Sequence, residues 1–123
     1  MLRSIYLGIG WILVAGVFYI SLIPHPPEPV SFEGVDKLEH ALAYATLMLI
    51  FCQVYLSPNT RKILFVCFVA MGVGIEFLQG LSGYRFFEYA DMLANTTGVI
   101  LGWGLAQTRL GNLLSTIENY AHH

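Results

Sequence analysis

The run Ile63 to Leu81, ILFVCFVAMGVGIEFLQGL, decides how this chain is read. It is almost wholly apolar, yet Glu76 and Gln79 sit toward its end, three residues apart and so on one helical face. About 20 apolar residues are what an α-helix needs to cross a bilayer. A charged group inside such a run costs roughly 2.5–3.5 kcal/mol on insertion scales, and it normally faces a bundle interior or a water-filled cavity instead of lipid.

Three further runs have the same character: Ile5 to Ile23, Leu38 to Leu56 and Ala90 to Gln107. Pro24, Ser57-Pro58 and Ser82-Gly83 mark borders between runs, as helix breakers do. Composition agrees. Of 123 residues 56% are hydrophobic and 11% charged, where soluble domains carry about 25% charged residues. A net charge of −2 gives no basic footprint for nucleic acid. The length allows one domain.

The expected fold is therefore all-α, an integral membrane four-helix bundle with short loops and antiparallel neighbours. It covers residues 1–109, with spans at about 5–23, 38–56, 63–81 and 90–107, and a cytoplasmic tail follows over 110–123. Arg3 gives a basic start, but the first run is longer than the roughly 7–15 apolar residues of a signal peptide and no small-residue cleavage site follows, so it reads as a retained anchor. Cys52 and Cys67 lie in apolar runs without CxxC spacing and read as packing residues with buried thiols.

Lys and Arg set orientation. Arg3, Arg61, Lys62 and Arg109 fall on one side, Lys37 and Arg85 on the other. The positive-inside rule then gives a multi-pass protein of the inner (cytoplasmic) membrane with both termini inside. Threading the polar residues onto that topology gathers them at the outer end. Asp36, Lys37 and His40 open span two, Arg85 lies in the loop after span three, and Asp91 and Asn95 open span four. Glu76 lies five residues from the end of its run, about 7–8 Å deep at 1.5 Å per residue, and Asn95 is at a similar depth. Asp36, His40 and Tyr44 are related by i, i+4, as are Asp91 and Asn95. Each helix thus carries a polar stripe at one height. Gly98-x-x-x-Gly102 either packs span four inside the bundle or serves dimerisation.

The ordered set Asp36-Lys37-x-x-His40-x-x-x-Tyr44, Glu76-x-x-Gln79, Arg85, Asp91-x-x-x-Asn95-x-x-Gly98 resembles the VanZ-like family, as does the Ser21-Leu22-Ile23-Pro24 exit from span one. The resemblance runs to about Gly104. It implies a small integral membrane protein of the kind named for low-level resistance to the glycopeptide teicoplanin, and it supplies no reaction.

The polar layer, Asp36, Lys37, His40, Tyr44, Glu76, Gln79, Arg85, Asp91 and Asn95, is the candidate ligand-binding set. Three readings stand. The layer binds the headgroup of a membrane lipid or lipid-linked cell-wall precursor, altering how a glycopeptide meets its target. Alternatively it belongs to an enzyme acting on such a headgroup, with Glu76 or His40 as acid/base. In the third reading it locks the bundle of a structural subunit. Arg85 and Lys37 suit phosphate or carboxylate. A zinc site from His40, Glu76 and Asp91 lacks an HExxH pattern and a second histidine in the spans, so no metal and no cofactor is expected. Phe86, Phe87 and Tyr89 read as an interfacial aromatic belt or as pocket walls.

The topology has a direct check. In a background without Cys52 and Cys67, Pro27→Cys or Ser82→Cys should label from outside in intact cells, and Asn59→Cys should not. The opposite pattern would invert the protein and put the polar layer on the cytoplasmic side.

Overall fold

The computed structural model describes residues 2–22, 35–81 and 89–121. Among them the chain is helical throughout: α1 (Leu2–Leu22), α2 (Val35–Val54), α3 (Pro58–Leu81), α4 (Tyr89–Ala106), a 3-10 turn (Arg109–Asn112) and α5 (Leu113–Ala121). No strand occurs among the described residues. Only residues 55–57 separate α2 from α3, and Pro58 occupies the first helical position, where its missing N–H leaves nothing unmade. The Arg61 amide already closes the first turn onto the Ser57 carbonyl at 3.0 Å.

The closest helix pair is α2 with α4. A Cβ on Gly98 would fall 2.2 Å from the Ala41 carbonyl oxygen, and one on Gly102 would fall 2.6 Å from that of Ala45. Only glycine permits such an approach. The two contacts ascend together along both helices, so α2 and α4 run parallel. Gly98 and Gly102 therefore pack α4 inside the fold.

α2 supplies most of the core. Tyr44, Leu47, Met48, Phe51 and Cys52 are buried against Phe68 of α3 and Val99 and Ala106 of α4. Phe51 also joins α1. Its ring meets Trp11 edge-on at 5.6 Å and Phe68 at 5.5 Å, and a Cβ on Gly10 would lie 2.7 Å from Phe51 Cε2. Such aromatic pairs add about 0.5–1.5 kcal/mol beyond area burial.

Where α2 and α4 end, Arg61 is buried. Its Nε donates to the Tyr55 carbonyl (3.0 Å) and Nη1 to Ala106 (2.9 Å), while Nη2 donates to Cys52 (2.9 Å) and Gly111 (3.1 Å). Carbonyls in the last turn of a helix have no partner within it, and they carry the negative end of the macrodipole. Two parallel helices bring two such ends together, and one guanidinium satisfies both. Sequence reading treated Arg61 as a loop charge that reports topology. It belongs instead to the first turn of α3 and fastens three segments.

The residues after Arg109 were expected as a tail, but they fold back on this end. Gln53 Nε2 donates to the Leu110 carbonyl at 2.5 Å, and its Oε1 accepts from the Leu114 amide at 3.0 Å. Leu114 is buried, and Glu118 approaches Arg3 at 3.9 Å. α5 turns Leu113, Ile117 and Tyr120 outward.

α1 and α3 are long and apolar enough to cross a membrane. α2 and α4 fall short of that measure because they carry Lys37, Glu39, His40 and Gln53, and Asp91 and Asn95. Large apolar side chains stand exposed on all four, among them Ile12 at 73%, Leu42 at 58%, Val66 at 65% and Leu93 at 69%. Cys52 is buried as expected, whereas Cys67 is exposed on the outer face of α3.

Arg61→Leu removes the donors to four carbonyls at once. Charge-assisted bonds and stranded acceptors together set the expected loss on the order of 3–5 kcal/mol, read as a clear drop in the detergent melting temperature. Lys62→Gln, one residue away and exposed, should melt close to the unaltered protein. Equal melting of the two variants would refute the fastening role.

Candidate functional site

At the opposite end, where α2 and α4 begin, the polar residues converge. The Lys37 amine meets the Asp91 carboxylate at 2.5 Å, joining the first turn of α2 to the first turn of α4. The pair is shielded unevenly, with side-chain exposures of 34% for Lys37 and 9% for Asp91. One turn deeper, the two parallel helices and α3 meet at Gly72. A Cβ there would lie 3.0 Å from Asn95 Cβ, 3.2 Å from Asn95 Nδ2 and 3.4 Å from Tyr44 Cε2. Gly72 thus lets α3 come close enough for Tyr44 and Asn95 to share one layer.

Glu76 is one turn along α3 from Gly72 and is only 1% exposed, with Tyr44 within electrostatic range of its carboxylate. Gln79, also 1% exposed, donates from Nε2 to the Ser21 carbonyl at 2.8 Å and so draws the end of α1 into the layer. His40 is half-buried, one turn from both Lys37 and Tyr44 on α2. Asn95 is 2% exposed. Tyr44, Glu76, Gln79, Asp91 and Asn95 all point into the protein, not out to its apolar rim.

Among the described residues the Tyr44 hydroxyl and the Asn95 side-chain carbonyl oxygen of this layer have no hydrogen-bond partner. Buried polar groups are nearly always satisfied, and each exception calls for an explanation such as a ligand, ion or water. Asn95 Oδ1 is an acceptor, whereas the Tyr44 hydroxyl can both donate and accept.

Arg85 lies outside the described residues, as do Phe86, Phe87, Ser82 and the side chain of Asp36. No group of three His, Cys, Asp or Glu side chains gathers at metal-binding range among the described residues. Sequence reasoning missed Ser21 as an acceptor for Gln79, and Gly72 as the residue that admits Asn95. Gly72 stands four residues before Glu76 on the polar face of α3, a spacing that carried the signal.

These features define a class: a small helical protein with a parallel glycine-seamed helix pair and a buried polar layer at one end. The VanZ/LLP1 family model matches residues 17–110, and the chain belongs to that VanZ-like family. The chain is also 33% identical over 103 residues to an uncharacterized protein of Schizosaccharomyces pombe. That match covers 81% of this chain but 61% of the relative, so the chain spans less than two thirds of the relative's length. No solved structure matches the chain. Family and the two long apolar helices together point to a membrane protein.

The ion pair can be measured by a double-mutant cycle. Lys37→Met strands Asp91, which is largely buried, so it should cost more than the double variant Lys37→Met/Asp91→Leu, with a coupling energy of about 1–2 kcal/mol in detergent unfolding. Additive losses would mean that the two side chains do not depend on each other.

Proposed function

We propose that this chain is a four-helix integral membrane protein whose polar layer holds the headgroup of a lipid or lipid-linked envelope precursor at the outer leaflet. The observation that carries the proposal is that Tyr44 Oη and Asn95 Oδ1, both buried in the layer that holds Glu76, have no hydrogen-bond partner among the described residues. Leaving such atoms unmade costs about 1–3 kcal/mol each, which a bound headgroup recovers. Asn95 Oδ1 accepts and the Tyr44 hydroxyl can donate and accept, so the fitting headgroup carries O–H or N–H groups, as sugar and glycerol hydroxyls do. An anionic part of the same headgroup would be met by Lys37, whose side chain is 34% exposed.

Three further observations support placement in a bilayer. Large apolar side chains stand exposed on all four long helices, as they do where a protein meets lipid. Family membership agrees. The basic residues Arg3, Arg61, Lys62 and Arg109 lie at the end away from the polar layer, so the positive-inside rule puts that end in the cytoplasm. On this reading the headgroup site faces the outer leaflet of the cytoplasmic membrane. Occupying a cell-wall precursor there would change teicoplanin susceptibility.

Tyr44→Phe tests the reading because it deletes one hydroxyl and keeps the ring in the core. If the hydroxyl serves a ligand, the melting temperature of lipid-free protein stays unchanged or rises, while retention of lipid-linked precursor in nanodiscs drops. Asn95→Leu should lose retention as well and also disturb the contact with Gly72. A Tyr44→Phe protein that melts lower without ligand and retains precursor fully would make the layer a structural lock. Turnover of the precursor that disappears in Glu76→Gln would make the protein an enzyme.

A further inference from the structure

At the other end of the molecule, α3 and α4 leave a groove of about 390 Å³ between them, lined by Lys62, Phe65, Val66 and Trp103. This is within the size range of small-molecule sites, about 300–1,000 Å³. We propose that the groove binds one acyl chain of an acidic phospholipid from the cytoplasmic leaflet, with Lys62 on its phosphate. The proposal rests on the membrane placement above but not on the headgroup site.

The lining is ordered like an amphiphile. Lys62, Phe65 and Val66 follow i, i+3, i+4 spacing and share one face of α3. Lys62 is the fifth residue of α3, about 6 Å along the axis from its start, and Trp103 stands three residues before the end of α4. Both therefore lie at the level where Lys snorkels and Trp prefers the interface. Phe65 and Val66 lie deeper, toward hydrocarbon. The groove wall is fixed by Phe65 and Trp103, whose rings meet edge-on at 5.9 Å. Next to Trp103, a Cβ on Gly104 would meet nothing within 4 Å, so the outer surface beside the groove is open.

Charge decides which lipid fits. Arg61 is occupied by carbonyls and Arg3 approaches Glu118. Among the described residues Lys62 and Arg109 have no carboxylate partner. Four cations against Glu118 leave this end at +3. A lone ammonium above an apolar slot, in an end with excess positive charge, complements a phosphate that bears net negative charge. A zwitterionic headgroup would bring a second cation to the same place. The leaflet that the positive-inside rule assigns to this end is also the one rich in acidic lipid.

The test is native mass spectrometry of the purified full-length chain in detergent, offered equal phosphatidylglycerol and phosphatidylcholine with identical acyl chains. The expected result is one retained lipid, with phosphatidylglycerol preferred by roughly tenfold, a difference of 1.4 kcal/mol. Lys62→Gln should abolish the preference and Lys62→Arg should keep it. Trp103→Ala should lose retention of both lipids, and a detergent melting curve confirms that each variant is folded. Equal retention of the two lipids by the unaltered protein overturns the proposal. So does a preference that survives Lys62→Gln, or a dimer mass in place of the lipid adduct. Precursor retention at Tyr44 and Asn95 is scored separately, so either site can fail alone. A chain that stays monodisperse without detergent would overturn the membrane placement itself.

Discussion

The fold depends on one backbone contact. Gly98 and Gly102 lay α4 against the carbonyls of Ala41 and Ala45, closer than any side chain would allow. That contact fixes the relative height of α2 and α4, and with it every pairing at their polar end. Lys37 can reach Asp91 because both stand about one turn or more before the seam. Tyr44 and Asn95 both reach Gly72 of α3. A shift of one turn at the seam would move the layer by about 5.4 Å and separate those pairs.

Parallel packing also has an electrostatic consequence. Two helices side by side in the same direction place two positive N-terminal ends together and two negative C-terminal ends together. The sequence answers at both ends. Asp91 falls in the first turn of α4, and the Arg61 guanidinium lies against the last carbonyls of both helices. Each such charge is worth about 0.3–1 kcal/mol at an exposed helix end and more when partly buried. Part of the division between an acidic and a basic end is therefore explained by the fold. The unpartnered atoms of Tyr44 and Asn95 are not, since the dipoles ask nothing of them.

The helices, and the inward orientation of Glu76, Gln79, Asp91 and Asn95, were legible in the sequence. They follow from run length and from the position of polar groups within apolar runs, which are one-dimensional quantities. Arg61 was not legible, because its burial depends on the ends of α2, α4 and the 3-10 turn meeting around it. A scan for cations sees only a charge near a loop. Gln53 carried a signal, a single amide in the run LMLIFCQV, but its partners are 57 and 61 residues away. α5 is too short to stand out by length, though Leu110, Leu113, Ile117 and Tyr120 repeat at helical spacing. Cys67 was misjudged because an apolar residue in a span is equally at home facing core or lipid.

The two ends of the molecule show what separates a structural polar cluster from one with work left to do. Arg61 is buried among carbonyl acceptors, and four of its five N–H donors meet one. Gln53 is matched in the same way, donating through one atom and accepting through the other. Arg61 and Gln53 are thus matched where they hold helices together, while Glu118 Oε1 at this end has no hydrogen bond among the described residues and lies 3.9 Å from the Arg3 guanidinium. At the other end, with burial just as complete, Tyr44 Oη and Asn95 Oδ1 are left over among the described residues. A structural lock would gain from replacing both with apolar groups of similar shape, since stranded polar atoms cost more than they return. Their presence in this layer, beside a carboxylate and under an ion pair, is the physical reason to attach a ligand there and not at Arg61.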